Sequence, residues 1–332
     1  MSRSYRVLAP VAWIISAIAL LFSSTLPAFA ATQSTSSGTG NGYKVSPVRT
    51  DLTIDTGTTK TTDVYIQNVS NTTENLQVVI NDFVANNDES GQPALLLNGK
   101  QAPQHSLKQY ITPVSDFTLA PNAQKDVKIV ITIPKGATAG GYYGAVRFAP
   151  AGVDAKNNVT LSASVASLIL VKVPGNFKEQ MSIASFDARS GDSARTLFTN
   201  PKNINAVVRF QNGGDVQEEP FGKIVLKKGG KQIATFDVNS TDPPGNVLPG
   251  SIRKFSVPLS HIGSFGKYTI QGNFGYGTSS PALTASTTFY VVPLGLIIAV
   301  VVLIVLIIGA IFVLPRWLRA YNRRVIRRSG RR

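Results

Sequence analysis

The sequence predicts an all-β fold, with two immunoglobulin-like β-sandwich domains followed by one C-terminal transmembrane helix. Three observations predict it. Short segments of alternating apolar and polar residues recur through the middle of the chain, and turn sequences rich in Gly, Pro and Asn separate them. One long apolar run lies near the C-terminus. The 332 residues suffice for two domains of ordinary size.

Residues 43–174 are predicted to form β-sandwich domain 1. Its clearest strand runs from residue 125 to 133 and carries apolar side chains on one face, namely Val127, Ile129, Ile131 and Ile133. Alternation of the same kind predicts further strands at 62–68, 75–81, 142–148 and 159–173. The turn residues Pro174-Gly175-Asn176 then mark a domain boundary.

Residues 175–291 are predicted to form β-sandwich domain 2, which repeats the same pattern. Lys228-Gly229-Gly230-Lys231 has the composition of a hairpin turn between strands at 222–228 and 232–238. A Pro- and Gly-rich loop is expected over 241–250. The remaining predicted strands cover 206–211, 252–258, 267–274 and 283–291.

The N-terminal segment, residues 1–30, is predicted to be a secretory signal peptide. Arg3 and Arg6 precede an apolar stretch, and small residues around Ala30 provide a cleavage site after that residue. The alternative is an uncleaved N-terminal anchor, although the apolar stretch is short for a membrane span. Residues 31–42 are rich in Ser, Thr and Gly, which predicts a flexible linker.

Residues 292–314 are predicted to form a transmembrane helix, because they are long and apolar enough to cross a lipid bilayer. A basic tail of residues 315–332 follows, with eight arginines and no carboxylate. Arginine beside a span is retained on the cytoplasmic side. We therefore expect a single-pass protein of the plasma membrane, with an extracytoplasmic body and a cytoplasmic tail. A buried core helix is the disfavoured alternative, because the run is apolar on all sides.

The charge and the reactive residues narrow the function. The net charge is +15, but ten of the basic residues lie in the two terminal segments, so no nucleic-acid partner is expected. The absence of cysteine excludes disulfides, thiolate zinc sites and a cysteine nucleophile. The two histidines are far apart in the chain and no catalytic motif is present. The sequence thus predicts no enzyme, no cofactor and no metal site.

Two surface features remain as candidates. The segment 86–89 has the residue types of a calcium loop, but its spacing favours a solvated loop. Tyr142, Tyr143 and Arg147 offer aromatic and guanidinium groups of the kind enriched in binding surfaces. Because alternate residues of a strand face opposite sides, we expect one tyrosine in the core and the other exposed.

The sequence also resembles a known family, the WxL-interacting proteins of Gram-positive envelopes. The resemblance in the first domain rests on Val45-Ser46-Pro47, Leu52–Gly57, Val64–Asn68, Asn81-Asp82-Phe83, Pro134-Lys135-Gly136 and Gly141–Val146. In the second domain it rests on Asn212-Gly213-Gly214, Pro220–Ile224, Val247–Arg253 and Gly266-Lys267-Tyr268. The resemblance implies that the first domain binds peptidoglycan or another wall polymer, and that the second binds a surface protein partner.

The expected function is therefore a non-enzymatic adhesion or scaffold protein, anchored in the bilayer through residues 292–314. An alternative is an extracytoplasmic chaperone-like accessory of a secretion or pilus assembly system, which would act by edge-strand addition. An enzyme with a distributed site is a third possibility, and it would require a deep polar pocket with perturbed carboxylates.

Overall fold

A computed structural model describes residues 42–151, 164–279 and 281–329, with side chains up to residue 317. The predicted signal peptide and the predicted linker up to residue 41 lie outside the described residues. So does the first part of the strand predicted at 159–173. Strands dominate the rest of the chain and one long helix closes it, which confirms the all-β class with a single C-terminal helix.

The first half of the body forms two sheets. Three strands make one sheet in the order β1-β3-β7, and the other has the order β2-β9-β8-β4-β5 with β6 beside β4. The strands are β1 (Tyr43–Ser46), β2 (Arg49–Thr53), β3 (Thr59–Asn68), β4 (Glu74–Ala85), β5 (Pro93–Leu95), β6 (Phe117–Leu119), β7 (Gln124–Thr132), β8 (Gly140–Pro150) and β9 (Val165–Val173). We call this pair of sheets the first sandwich.

The core of the first sandwich follows from the alternation in its strands. In β7, Val127, Ile129 and Ile131 are buried, while the residues between them face outward. Val64 and Ile66 in β3 are fully buried in the same cluster. Removing such side chains from water is the main favourable term in folding, worth roughly 1.5–3 kcal/mol for each large aliphatic group.

The second half forms two further sheets, ordered β11-β10-β13-β16 and β12-β18-β17-β14-β15. We call them the second sandwich. Its strands are β10 (Met181–Ser190), β11 (Ser193–Ala194), β12 (Leu197–Phe198), β13 (Asn205–Asn212), β14 (Phe221–Lys228), β15 (Lys231–Val238), β16 (Ile252–Pro258), β17 (Gly266–Gly275) and β18 (Leu283–Val291). The predicted hairpin turn does join β14 to β15.

One long strand of this sandwich, β10, was not predicted. Its sequence, MSIASFDARS, has few β-branched residues and no sustained alternation. It is a strand because it pairs antiparallel with β13, with a register shift between Ile183 and Ser185. Tertiary pairing therefore overrides a weak local signal here.

A buried asparagine closes a loop at the same place in each sandwich. Asn68, at the end of β3, donates from Nδ2 to the carbonyls of Thr72, Leu119 and Ala120. Asn212, at the end of β13, donates from Nδ2 to the carbonyls of Val216 and Val247. Both side chains are fully buried, so these bonds satisfy carbonyls that water cannot reach.

The single helix, α1 (Leu294–Ser329), starts two residues after β18 ends. Its segment Leu294–Trp317 has 24 residues with a mean hydropathy of 3.6, and among the described helices it is the one long and apolar enough to cross a membrane. The helix also continues past the predicted end of the span through Pro315. Arginine, leucine and alanine after that proline favour helix, which explains the extension.

Candidate functional site

The predicted patch of Tyr142, Tyr143 and Arg147 lies on β8, and its two tyrosines do face opposite sides. Tyr142 is in the core of the first sandwich and its hydroxyl donates to the carbonyl of Thr138 at 2.8 Å. The expectation that the other tyrosine is exposed is wrong, because Tyr143 is only 4% exposed. The second sandwich covers this part of the sheet, and the Tyr143 hydroxyl donates to Oε1 of Gln217 at 3.0 Å.

Arg147, the third member of the patch, is half-buried and its Nε donates to Oδ1 of Asn81 at 3.3 Å. Tyr143 packs with Phe83 and Leu170 in a small apolar cluster, and Leu248 of the second sandwich packs against it. Burial raises the pKa of the Tyr143 hydroxyl, so this group stays protonated. The binding role predicted for the patch stays a prediction, and the contacts assign its tyrosines to the core and to the junction of the sandwiches.

Polar contacts surround that apolar cluster. Arg49 in β2 donates to the carboxylate of Glu219 and to the carbonyl of Pro244 at 2.7 Å. On another side, the guanidinium of Arg209 binds both carboxylate oxygens of Glu89. These fork-shaped contacts fix direction as well as distance. The junction between the sandwiches therefore combines apolar packing with ion pairs.

One carboxyl at the junction has an unusual environment. Glu218 is 3% exposed and its Oε1 has no hydrogen-bond partner among the described residues. Burial raises its pKa to about 7, and the negative charge of nearby Glu179 adds to the rise, while Lys172 opposes it. This is a single perturbed carboxyl without a nucleophile beside it, so it does not form a catalytic constellation.

The segment 86–89 is engaged in other contacts than metal binding. Glu89 pairs with Arg209, and Oδ1 of Asp88 accepts from the backbone and the hydroxyl of Ser90. Among the residues that the structure describes, no group of three or more His, Asp or Glu side chains is arranged to hold a metal ion. The interpretation of this segment as a solvated, ion-paired loop is the one that its contacts support.

The exposed face of the three-stranded sheet is the candidate binding surface of the first sandwich. Tyr65 in β3 is 39% exposed, because its neighbours Val64 and Ile66 point into the core. Strand pairing places Ser46 of β1 and Asp126 of β7 on either side of it. The next row across the sheet is Lys44, Gln67 and Gln124.

Five of these residues line a shallow hollow of about 290 Å³, namely Lys44, Ser46, Tyr65, Gln67 and Gln124. The hollow combines one aromatic ring with two amides, a hydroxyl and an ammonium group. Lys128 and Asp63 form the row on the other side of Tyr65. We call this outer face of β1, β3 and β7 the tyrosine face.

Sequence reasoning missed the tyrosine face, although part of its signal was present. The alternation in residues 62–68 puts Tyr65 on the polar side of its strand, and an outward aromatic among polar neighbours is a binding signal. The sequence could not indicate that β1 and β7 flank β3, because strand order depends on long-range pairing.

The fold and the tyrosine face define a class of protein: a body of two consecutive β-sandwiches on one helix of membrane-spanning length. Residues 50–150 match the family model described as WxL Interacting Protein, peptidoglycan binding domain. This match confirms the resemblance to the WxL-interacting protein family, and it lies within the first sandwich. The matched family is a binding-domain family.

Other comparisons add little. No curated protein matches this chain. The class 5 fimbriae chaperone CfaA is 14% identical, with a TM-score of 0.36, over 76% of this chain and 100% of that chain. The Escherichia coli chaperone DraB is also 14% identical, with a TM-score of 0.33, over 75% and 97%. A PapD-like domain of human CEP192 is 12% identical, with a TM-score of 0.29, over 46% and 99%. Likeness at this level carries no inference.

Proposed function

We propose that this chain is a single-pass, non-enzymatic adhesion or scaffold protein of a bacterial cell surface, and that its tyrosine face binds peptidoglycan or another wall polymer. The observation that carries the proposal is the peptidoglycan-binding-domain match over residues 50–150, which spans β3 and β7 of that face. Tyr65, near one end of the face, provides the exposed aromatic ring that the proposal requires.

The chemistry of the tyrosine face suits a glycan with acidic substituents. A sugar ring presents an apolar C–H side, and the ring of Tyr65 gives it a flat apolar surface with a polar hydroxyl at its edge. The amides of Gln67 and Gln124 can both donate to and accept from sugar hydroxyls. Lys44 and Lys128 provide ammonium groups for the carboxylates of peptide stems.

The anchor and the binding face fit one topology. With α1 in the plasma membrane, the arginines after Leu314 keep the C-terminal tail in the cytoplasm, and both sandwiches lie outside. A wall polymer is then on the same side as the tyrosine face. The proposed molecule thus links the membrane to the wall.

The surface protein partner implied by the family resemblance falls to the second sandwich in this proposal. Its strand β15 lies at the edge of the five-stranded sheet and pairs with β14 on one side. An edge strand can accept a strand from another chain through its backbone. Crosslinking from a cysteine at the exposed Thr235 in cell envelopes should capture this partner, and a chain that yields no adduct would contradict this part of the proposal.

The wall-binding proposal is tested by sedimentation of the full chain, purified in detergent, with insoluble peptidoglycan. The wild type should cosediment, and Tyr65→Ala should weaken binding on the order of tenfold, which corresponds to about 1.4 kcal/mol. Phe221→Ala is the matched control, because Phe221 is a similarly exposed aromatic in the second sandwich.

Three outcomes are informative. Loss of binding in Tyr65→Ala with retention in Phe221→Ala supports the tyrosine face. Equal binding by wild type and Tyr65→Ala would move the site to another surface of the first sandwich. No cosedimentation of the wild type at low or moderate salt would contradict wall binding itself.

A further inference from the structure

The end of the second sandwich beside α1 is fixed by strand pairing. Val291, the last residue of β18, pairs with Gly266, the first residue of β17, and Tyr290 pairs with Lys267. Only residues 292 and 293 separate β18 from α1. An extended residue spans at most about 3.6 Å, so this end lies within roughly 10 Å of the start of the helix.

Apolar side chains are exposed at this end. Leu197 of β12 pairs with Tyr290, and both side chains are turned outward, 49% and 45% exposed. Phe265 precedes β17 and is 58% exposed. These three side chains cost free energy in water, and all lie at the level where the chain would enter a bilayer.

Basic side chains accompany them. Lys267 lies in the same row as Leu197 and Tyr290, and Lys228 and Lys231 flank the turn between β14 and β15. Lys228 pairs with Tyr268, two positions from the same end of β17, so the turn reaches the same level. All three lysines are exposed.

The carboxylates of this sandwich are held elsewhere. Glu179, Glu218 and Glu219 lie at the junction with the first sandwich. Asp237 pairs with Lys223, and Asp192 lies 3.7 Å from Nζ of Lys254. Charge is therefore segregated along the second sandwich, with its free lysines at the end nearest α1.

We propose that this end contacts the bilayer surface that holds α1. The membrane-facing rim, as we call it, consists of Leu197, Phe265 and Tyr290 together with Lys228, Lys231 and Lys267. Aromatic side chains favour the headgroup level of a membrane. Lysines near an anionic surface gain about 1 kcal/mol each. The partner is thus an anionic lipid surface.

The consequence is an oriented body. A rim in contact with headgroups on one side of a two-residue connection restricts how far the second sandwich can tilt. The junction contacts then pass this restriction to the first sandwich. The inference rests on the part of the proposed function that places α1 across the membrane.

The test uses the absence of native cysteine, which allows a single nitroxide label at a chosen position of the full chain. Phe265→Cys is the reporter, and Phe221→Cys is the matched control, because Phe221 lies at the opposite end of its sheet, paired with Gly275. Ile304→Cys, in the middle of the apolar helix, reports on the anchor. Each labelled chain is placed in bilayer discs, and its accessibility to oxygen and to an aqueous nickel complex is measured.

In discs containing phosphatidylglycerol, the label at 265 should be several-fold less accessible to the nickel complex than the label at 221. Substituting Lys228, Lys231 and Lys267 together by glutamine should reduce this protection, and discs of phosphatidylcholine alone should give less protection than anionic discs.

Equal nickel accessibility at 265 and 221, with position 304 shielded, would overturn the rim and leave the anchor intact. Free access of the nickel complex to position 304 would overturn both. Protection at 265 that is independent of lipid charge and of the three lysines would overturn the electrostatic part of the proposal.

Discussion

The hydroxyl of Tyr143 in β8 donates a hydrogen bond of 3.0 Å to Oε1 of Gln217, joining the first sandwich to the second. The ring also lies 5.9 Å from those of Phe83 and His105. A methyl group at Gly141 would lie 2.1 Å from the Tyr143 hydroxyl, so this side chain needs glycine beside it. The junction is therefore built around a buried tyrosine.

Tyr143 should be important for the stability of the junction. Tyr143→Phe removes one hydrogen bond and should lower the free energy of unfolding by about 1 kcal/mol. Tyr143→Ala also removes the ring from its cluster and should cost about 3–5 kcal/mol. Thermal unfolding of the full chain in detergent measures both. Equal stability of the alanine and phenylalanine variants would contradict the packing role assigned to the ring.

Glu89 and Arg209 should be energetically coupled across the junction. The hydrogen bond from Arg209 holds the pKa of Glu89 below its usual value. Its stabilising effect is therefore present above the ordinary pKa and is lost as pH falls. A double-mutant cycle with Glu89→Gln and Arg209→Gln should give a coupling of about 1 kcal/mol near neutral pH, since the pair is partly exposed. Additive effects of the two substitutions would show that the pair contributes nothing.

Glu218 should make stability fall as pH rises. Its folded-state pKa of about 7 is above the ordinary 4.5, so the folded state holds the proton more tightly. The resulting stabilisation is complete below the ordinary pKa and is lost as pH rises through the folded value. Glu218→Gln should therefore stabilise the chain by roughly 1–3 kcal/mol near pH 8 and have little effect near pH 4.

The matched control for that experiment is Asp242→Asn, which removes a carboxylate from an exposed loop. Thermal unfolding across the pH range compares the two variants. A stability difference between Glu218→Gln and wild type that stays constant with pH would contradict the raised pKa of Glu218.

The two loop-closing asparagines should be more important than exposed ones. Asn212→Ala would leave the carbonyls of Val216 and Val247 and the amide of Gly214 without their partner. We expect a loss of about 2–4 kcal/mol, because buried polar groups without partners are costly. Asn273→Ala, at an exposed strand position, should change the unfolding free energy little. Similar melting temperatures for these two variants would contradict the role of Asn212.

Much of the fold followed from local patterns. The strands at 252–258 and 283–291 have the predicted bounds, and the hairpin turn at 228–231 is where its glycines indicated. Side-chain alternation in β7 predicted the buried face correctly. These features are local, since period-two alternation and turn residues act on neighbours in the chain.

Short or irregular strands did not follow from the sequence. Strand β12 has two residues and exists because it pairs in parallel with the end of β18. Likewise β2 pairs in parallel with β9, which lies more than a hundred residues later. A partner so distant in sequence leaves no periodic signal in the strand itself.

The sequence by itself determined the all-β class, the apolar helix and the family resemblance, because these depend on alternation, length and composition. Only the tertiary structure decided which surfaces are free. Alternation places Tyr143 and Tyr65 alike on the side of their strands that faces away from the core. Packing of the second sandwich buries Tyr143 and leaves Tyr65 exposed. The same packing desolvates Glu218, because coverage depends on contacts between residues far apart in the chain.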